Sequence, residues 1–134
     1  MKGVLKLKLI PQSTDLALLV LRLGLGLTLF FEYGIVKLLH FHQLAATEPD
    51  PLHVGATINM LLMIFAEVIC AAAVTAGVAT RPAALILAVE MAVAFFRVHH
   101  GAFAHGDLAF IYMSGFVAVT LAGGGRFAVS RKLA

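Results

Sequence analysis

The chain has 134 residues, of which 61% are hydrophobic and only 13% are charged, and its formal net charge is +3 at pH 7. Soluble globular domains carry about 25% charged residues, so this composition leaves too little polar surface for a water-soluble fold and indicates a membrane protein. The only cysteine, Cys70, lies in an apolar stretch, which excludes an internal disulfide and a CxxC dithiol centre. We interpret it as a small packing residue.

Four apolar stretches dominate the chain after its first residues, KGVLKLKLIPQ, whose alternating lysines are typical of a segment at the membrane surface. The stretches cover about residues 16–39, 56–79, 82–98 and 107–123, and each is near the roughly 20 residues that a helix needs to cross a bilayer. The first is too long for a signal-peptide core and contains Arg22, so an uncleaved span is expected. Pro82 suits a first helical turn, and Gly123-Gly124-Gly125 marks a helix end. The sequence therefore predicts an all-α fold, with residues 1–134 forming one domain: a four-helix transmembrane bundle of up-down-up-down topology.

Basic residues indicate how such a bundle would lie in the membrane, because short loops rich in Lys and Arg stay cytoplasmic. They occur in the N-terminal segment, between helices two and three, and in the C-terminal tail: Lys2, Lys6, Lys8, Arg81, Arg126, Arg131 and Lys132. We therefore expect both termini on the cytoplasmic side of a bacterial or archaeal cytoplasmic (inner) membrane, in a multi-pass protein. The loops on the outer face, residues 40–55 and 99–106, would then hold all six histidines.

Ionisable side chains inside the predicted spans are costly unless they are paired or hydrated, which makes them candidates for function. They are Arg22, Glu32, Lys37, Glu67, Glu90 and Arg97. The helical rise predicts that Arg22, Glu67 and Glu90 can meet at an inner level, with Glu32 and Arg97 nearer the outer surface. Two interpretations stay open: ion pairs that lock the helices in register, or a polar intramembrane pocket that opens to the outer face and orients a quinone-like head group or relays protons to it.

The outer histidines form a second candidate site. Imidazole is a ligand for zinc, copper, nickel or iron, and a haem would need two histidines facing each other across its plane. The candidate metal ligands are His40, His42, His99, His100 and Asp107, with Glu48 as a further oxygen donor. Their spacing matches no established ligand motif, so a hydrated, pH-titrating cap on the bundle is the alternative interpretation.

Scattered motifs run through nearly the whole chain. The first helix reads LRLGLGLTLFFEYGIVKLL, with an early arginine, glycines and a final lysine. The next two read FAEVICAAAVTAGVATRPAALILAVEMAVAFFRVHHGAF, with a mid-helix glutamate, a glycine, a Thr-Arg turn, and Met-x-x-Ala followed by histidine. The end, GDLAFIYMSGFVAVTLAGGGRFAVSRKL, begins with an acid and closes on a Gly-x-Gly-Arg tail. These features resemble the DoxX family of membrane proteins, although Asp107 stands where that family usually has a glutamate.

The resemblance implies a four-helix integral membrane protein, often a partner of another redox enzyme; one branch of the family contributes the membrane subunit of thiosulfate:quinone oxidoreductases. The leading hypothesis is thus a DoxX-like subunit of a quinone-linked redox assembly. The alternatives are a metal- or haem-binding membrane protein that uses the outer histidines, and a non-catalytic structural partner of a membrane complex. The sequence leaves open whether the chain is an enzyme.

The expected partners follow from the same features. They are the lipid bilayer, a membrane or periplasmic redox protein, and a second copy of the chain. The sequence has no basic face with interleaved aromatic residues, so no nucleic acid is expected, and the basic residues at the inner face are explained by anionic lipid.

Overall fold

The computed structural model describes residues 13–129, and within this range all regular structure is helical, with no strand. We number the helices α1 (Thr14–Leu39), α2 (Phe41–Thr47), α3 (Ala56–Ala76), α4 (Thr80–Val93) and α5 (Phe103–Ala122). A π-helical segment, Ala94–Val98, continues α4. The predicted surface segment KGVLKLKLIPQ and the tail residues Arg131 and Lys132 lie outside the described residues.

Three of these helices are long and apolar enough to cross a membrane: α1, α3 and α5, with mean hydropathies of 1.8, 2.1 and 1.3. Helix α4 with its π-helical continuation carries three charged residues, Arg81, Glu90 and Arg97. The prediction of an all-α fold is confirmed for the described residues. The four long helices coincide closely with the four predicted apolar stretches, whereas the short helix α2 lies in a segment that was predicted only as a loop.

Local sequence signals explain where the long helices begin and end. Ser13 caps α1, since its hydroxyl accepts a hydrogen bond from the Leu16 backbone N–H at 3.2 Å. Helix α3 ends at Ala76 because Gly77 adopts a left-handed conformation, with φ of +82°, which glycine tolerates better than any other residue. Helix α5 ends before Gly123, the first residue of the predicted glycine stop.

Helices α1 and α3 run antiparallel and approach closely at two glycines of α1. A side chain at Gly26 would overlap Thr75, and one at Gly34 would overlap the backbone carbonyl of Glu67. Small residues at a helix interface allow this close approach, which is a usual basis of helix packing in membranes. The interior is completed by side chains from all four long helices: Leu29, Ala71, Val74, Ala84, Leu87, Phe116 and Val119.

The outer surfaces of the long helices are largely apolar. Val20 of α1, Ile69 of α3, Val89 of α4 and Leu121 of α5 are 69, 57, 55 and 76% exposed, respectively. Each Å² of apolar surface left in water costs about 25 cal/mol. Apolar surface that continues over several helices is typical of membrane or protein contacts. The surface therefore fits a protein whose helices are surrounded by lipid.

Candidate intramembrane binding site

A cavity of about 660 Å³ lies between α1, α3, α4 and α5, and the segment that follows α2 covers part of it. This volume is within the usual range of small-molecule sites. Much of its wall is apolar, with contributions from Leu29, Leu62, Phe65, Ile86, Val89 and Met91. Its polar side chains are Tyr33, Lys37, Glu48, Asn59, Glu67, Glu90, His99, His105 and Tyr112. We refer to it as the central cavity.

Lys37 and Glu67 form a buried ion pair in this cavity. The Lys37 Nζ donates to both Glu67 oxygens, Oε1 and Oε2, at 2.6 Å, and the two residues are only 6% and 2% exposed. The same Nζ lies 5.6 Å from the centroid of the Tyr33 ring, in a cation–π arrangement. Because an unpaired charge in these surroundings would be costly, each partner is held in place by the other.

Glu90 reaches the same part of the cavity from α4. Its carboxyl group interacts with that of Glu67, and its Oε2 is buried with no hydrogen-bond partner among the described residues. Two carboxyl groups can share a hydrogen bond only if one of them carries a proton. The carboxyl pair, Glu67 and Glu90, therefore has one lysine cation for two acidic groups.

Two tyrosines stand beside this charged cluster. The rings of Tyr33 in α1 and Tyr112 in α5 meet edge to face, with centroids 6.3 Å apart and an interplanar angle of 89°. Within residues 13–129 neither hydroxyl has a hydrogen-bond partner, and neither is enclosed by protein atoms. Both hydroxyl groups are thus available to a molecule in the central cavity.

One end of the cavity, which we call the mouth, is lined by loop residues and by one residue at the start of α5: Glu48, Pro49, Pro51, Leu52 and His99 from the loops, and His105 from α5. The Asn59 side chain donates from Nδ2 to the Pro49 carbonyl at 2.8 Å, which ties the loop to α3. Asp50 accepts backbone N–H groups of Val54 and Gly55 through its two carboxylate oxygens. These bonds give the mouth a defined shape, although it is built from a loop.

The cavity also reaches the outer surface of the helices between α3 and α4. Leu62 and Phe65 of α3, and Ile86 and Val89 of α4, line the cavity and are at the same time 51, 44, 41 and 55% exposed. Between α3 and α4 the cavity is therefore bounded by apolar side chains that are themselves partly exposed. This part of the wall would face lipid, and we call it the side opening.

Departures from α-helical geometry lie beside the polar cavity residues. Tyr33 belongs to the π-helical segment Phe30–Gly34, Glu67 to the segment Phe65–Cys70, and Ala94–Val98 directly precedes His99. A π-helical turn changes the direction in which the following side chains project, and such turns are frequent at functional sites. The sequence carries no clear local signal for them.

Arg22 lies toward the other end of the interface between α1 and α3. It is fully buried, and its Nη1 donates to the carbonyls of Val74 and Thr75 at 3.4 Å, close to the C-terminus of α3. Its Nε and Nη2 have no partner in the part of the chain that the structure describes. The structure thus differs from the expectation that Arg22 meets Glu67 and Glu90, because the guanidinium instead contacts terminal carbonyls of α3, where the helix dipole favours a cation.

The remaining predicted pocket residues also lie outside the central cavity. Glu32 and Arg97 are exposed and do not line it. Of the six residues predicted for an intramembrane pocket, the structure therefore brings together Lys37, Glu67 and Glu90.

The histidines occupy several separate environments. Nδ1 of His40 lies 3.1 Å from the Val36 carbonyl, the His42 ring packs edge-on against Phe41, and His99 and His105 line the mouth. Among residues 13–129 no three His, Cys, Asp or Glu side chains gather closely enough to hold a metal ion. The candidate ligands are therefore not assembled into such a cluster: His40, His42, His99, His100 and Asp107.

Two polar cavity residues were missed by sequence reasoning, Asn59 and Tyr112. Each is an isolated polar residue in an apolar helix, and neither carries a charge that would make it costly in a membrane. Tyr33 could be found more easily, because it lies four residues before Lys37 and hence on the same helical face.

Comparison with known proteins identifies one family. The DoxX family model matches residues 17–100, which include Lys37, Glu67 and Glu90 but not Tyr112. No curated protein and no solved structure matches the chain significantly. The family model covers more than half of the sequence, and the three span-forming helices agree with a membrane location. The chain therefore belongs to the DoxX family of integral membrane proteins.

Proposed function

We propose that this protein is the membrane subunit of a quinone-linked redox assembly and that its central cavity holds the quinone. The observation that carries the proposal is one cavity of about 660 Å³ that combines an apolar wall with a compact polar cluster. Ligand sites of this kind use a few convergent polar groups to orient a molecule that is otherwise held by apolar contact.

A quinone head group fits the polar cluster. Its carbonyl oxygens are hydrogen-bond acceptors, and the free hydroxyls of Tyr33 and Tyr112 are donors. The Lys37 ammonium group donates two hydrogen bonds to Glu67, and its third N–H group can donate to a bound molecule. The apolar tail of the molecule would leave through the side opening between α3 and α4, so that the ligand could enter directly from the bilayer.

The proposed topology is a four-helix, up-down-up-down transmembrane bundle in which α4 is the fourth span. The exposed side chains of α4 and its π-helical continuation include Leu85, Ile86, Val89 and Phe96, which are suited to lipid, while Glu90 lines the cavity. Because Glu90 lines the cavity, its carboxyl group would not be exposed to lipid, and the cost of placing α4 in a membrane is reduced.

Both termini of this bundle are proposed to be cytoplasmic. The start of α1 and the segment after α5 lie at one end, since the Arg126 backbone N–H donates to Asp15 at 2.9 Å. Val129 donates in the same way to the Ala76 carbonyl, next to the turn that leads into α4 and Arg81. Arginines at this end favour the cytoplasmic side of a bacterial or archaeal inner membrane, so the mouth would face outward.

The redox partner is proposed to be a membrane or periplasmic protein that supplies electrons at the outer face. Reduction of a quinone to a quinol consumes two electrons and two protons. In this scheme the partner delivers the electrons, while the cavity binds the quinone and provides groups that can hold protons.

Binding of a short-chain benzoquinone to the purified protein in lipid nanodiscs tests the proposal. The double change Tyr33→Phe with Tyr112→Phe removes two donors without altering the ring packing. Each lost hydrogen bond should cost about 1 kcal/mol, so we expect the Kd to rise by roughly tenfold or more. The measurement is a calorimetric titration with the quinone, because the double variant contains neither Trp nor Tyr and therefore has no useful intrinsic fluorescence.

Ser114→Ala is the matched control, because it removes a hydroxyl from the exposed face of α5, where it bonds only to the Phe110 carbonyl of its own helix. It should leave the Kd unchanged. Failure of the unaltered protein to bind the quinone, or an equal loss in the control and the double variant, would contradict the proposal.

A further inference from the structure

The acidic groups of the central cavity outnumber its cations. Among residues 13–129, Lys37 is the only Lys or Arg side chain that lines it, whereas Glu48, Glu67 and Glu90 all do. Both oxygens of Glu67 are occupied by the Lys37 ammonium group. Glu90 thus has no cation of its own, and its buried Oε2 has no hydrogen-bond partner within residues 13–129.

A proton accounts for this arrangement. An ionised carboxylate without a cation is strongly disfavoured among apolar side chains, and protonation is the usual way to avoid it. Protonated Glu90 would also have the O–H group that a hydrogen bond to the neighbouring Glu67 requires. The carboxyl pair can therefore hold one proton while Lys37 balances the remaining negative charge.

The route for this proton is set by the shape of the cavity. From Glu90 the cavity extends to the mouth, where Glu48, His99 and His105 lie. On the other side of the carboxyl pair the helices are closely filled, with Ala84, Leu87 and Phe116 completely buried. The polar approach to Glu90 is therefore on the side of the mouth, and the opposite side is packed with apolar side chains.

We propose that Glu90 and Glu67 form an exchangeable proton site that is filled from the mouth of the central cavity. This deepens the proposed function, because the site would protonate the bound quinone, but it can be tested without any ligand. When the redox partner has supplied electrons to the bound quinone, a proton passes from the Glu90 carboxyl oxygen to the reduced quinone oxygen, and Glu90 is left as a carboxylate. A proton taken up from the bulk solvent through the mouth then restores the acid.

Titratable groups from every surrounding element line the same cavity as Glu90 or act on it electrostatically. Tyr33 and Lys37 come from α1, Glu48 from the loop after α2, Glu67 and Cys70 from α3, His99 from the segment after α4, and His105 and Tyr112 from α5. Glu67 is the nearest acidic partner, and the positive charge of Lys37 acts on both members of the pair.

Infrared spectroscopy of the ligand-free, full-length protein in lipid nanodiscs tests the site directly. A protonated carboxyl group absorbs separately from carboxylates, and its band shifts to lower frequency in D₂O when the proton exchanges. We expect such a band at neutral pH in the unaltered protein and its loss in Glu90→Gln. Glu32→Gln is the matched control, because Glu32 is exposed and outside the cavity, and the band should remain.

The route is tested by filling the mouth. Leu52→Trp places a large ring at the mouth, and we expect slower exchange of the Glu90 proton into D₂O than in the unaltered protein. Leu39→Trp, at an exposed position that does not line the cavity, should exchange as fast as the unaltered protein. Equal exchange in both tryptophan variants would overturn filling from the mouth.

The unaltered protein alone can also overturn the proton site, even if the variants do not fold. Absence of a protonated carboxyl band at neutral pH, or a band that never shifts in D₂O, would rule out an exchangeable proton. Persistence of the band in folded Glu90→Gln would do the same. If the band behaves as expected but the benzoquinone does not bind, the proton site stands and the proposed quinone function fails.

Discussion

The ammonium group of Lys37 in α1 lies 2.6 Å from each carboxylate oxygen of Glu67 in α3. It is the only side-chain ion pair found within residues 13–129. Removing one partner of a buried ion pair leaves the other charge without compensation, which costs more than the pair itself contributes to stability. The two residues should therefore behave as one unit in mutagenesis.

Lys37→Met should lower the free energy of unfolding by about 3–5 kcal/mol, because it leaves the Glu67 carboxylate buried and unpaired. Methionine has a similar length, so the apolar contacts of the lysine stem are largely kept. The measurement is the midpoint of unfolding of the purified protein in mixed micelles with increasing denaturing detergent.

The double variant Lys37→Met with Glu67→Gln supplies the control for that experiment. It removes both charges, so most of the lost stability should return even though two residues have changed. Additive losses in the double variant would show that the ion pair is not the reason for the instability.

Two glycines of α1, Gly34 and Gly24, differ in the space that surrounds them. At Gly34 an added methyl group would overlap the Glu67 carbonyl, whereas at Gly24 it would meet no atom within 4 Å. Both glycines have ordinary helical conformations, so any difference between them arises from packing rather than from backbone preference. Gly34 is thus a position at which α1 approaches α3 closely, beside the backbone of the residue that pairs with Lys37.

Gly34→Ala should destabilise the protein by about 1–3 kcal/mol, because the helices must separate to admit the methyl group. The same separation should lengthen the contact between Lys37 and Glu67 and weaken benzoquinone binding. Both effects can be measured on one preparation, by detergent unfolding and by titration with the quinone.

Gly24→Ala makes the same chemical change where there is room for it. Alanine is the better helix former by about 1 kcal/mol, so stability should be equal or slightly higher and binding unchanged. Equal losses at both positions would mean that the close approach at Gly34 has no special importance.

For the whole molecule, the proposed topology puts the mouth and the chain termini on opposite sides of the membrane. His53 lies in the loop after α2, and Arg126 lies beyond the end of α5. Both residues are exposed, so a cysteine at either position should react with a thiol reagent that reaches it.

His53→Cys should be labelled from outside intact spheroplasts by a reagent that cannot cross the membrane, and Arg126→Cys only after the membrane is opened. Cys70→Ser provides the background, although the native thiol is buried. Labelling of both positions from the same side would contradict an even number of spans and the assignment of α4 as the fourth.

Much of the helical architecture could be predicted because its signals are local. Apolar stretches of sufficient length specify membrane helices, and Ser13, Gly77 and Gly123 mark boundaries through their own backbone or side-chain chemistry. Helix α5 begins at Phe103, whereas the sequence predicted a start near Asp107. The Phe103 ring packs against the rings of Phe95 and Phe110. That contact joins two helices, so no local pattern reports it.

Length, apolar composition and the charges at the helix ends were sufficient to determine from the sequence alone that this is an all-helical membrane protein with acidic and basic groups in its interior. Only the tertiary structure decided that Lys37, and not Arg22, is the partner of Glu67. The reason is physical: periodicity assigns each side chain to a face of its own helix, but the sliding and rotation of one helix against another depend on the packing of residues such as Gly26 and Gly34. The same packing leaves the central cavity open between helices whose sequences, taken singly, contain no sign of it.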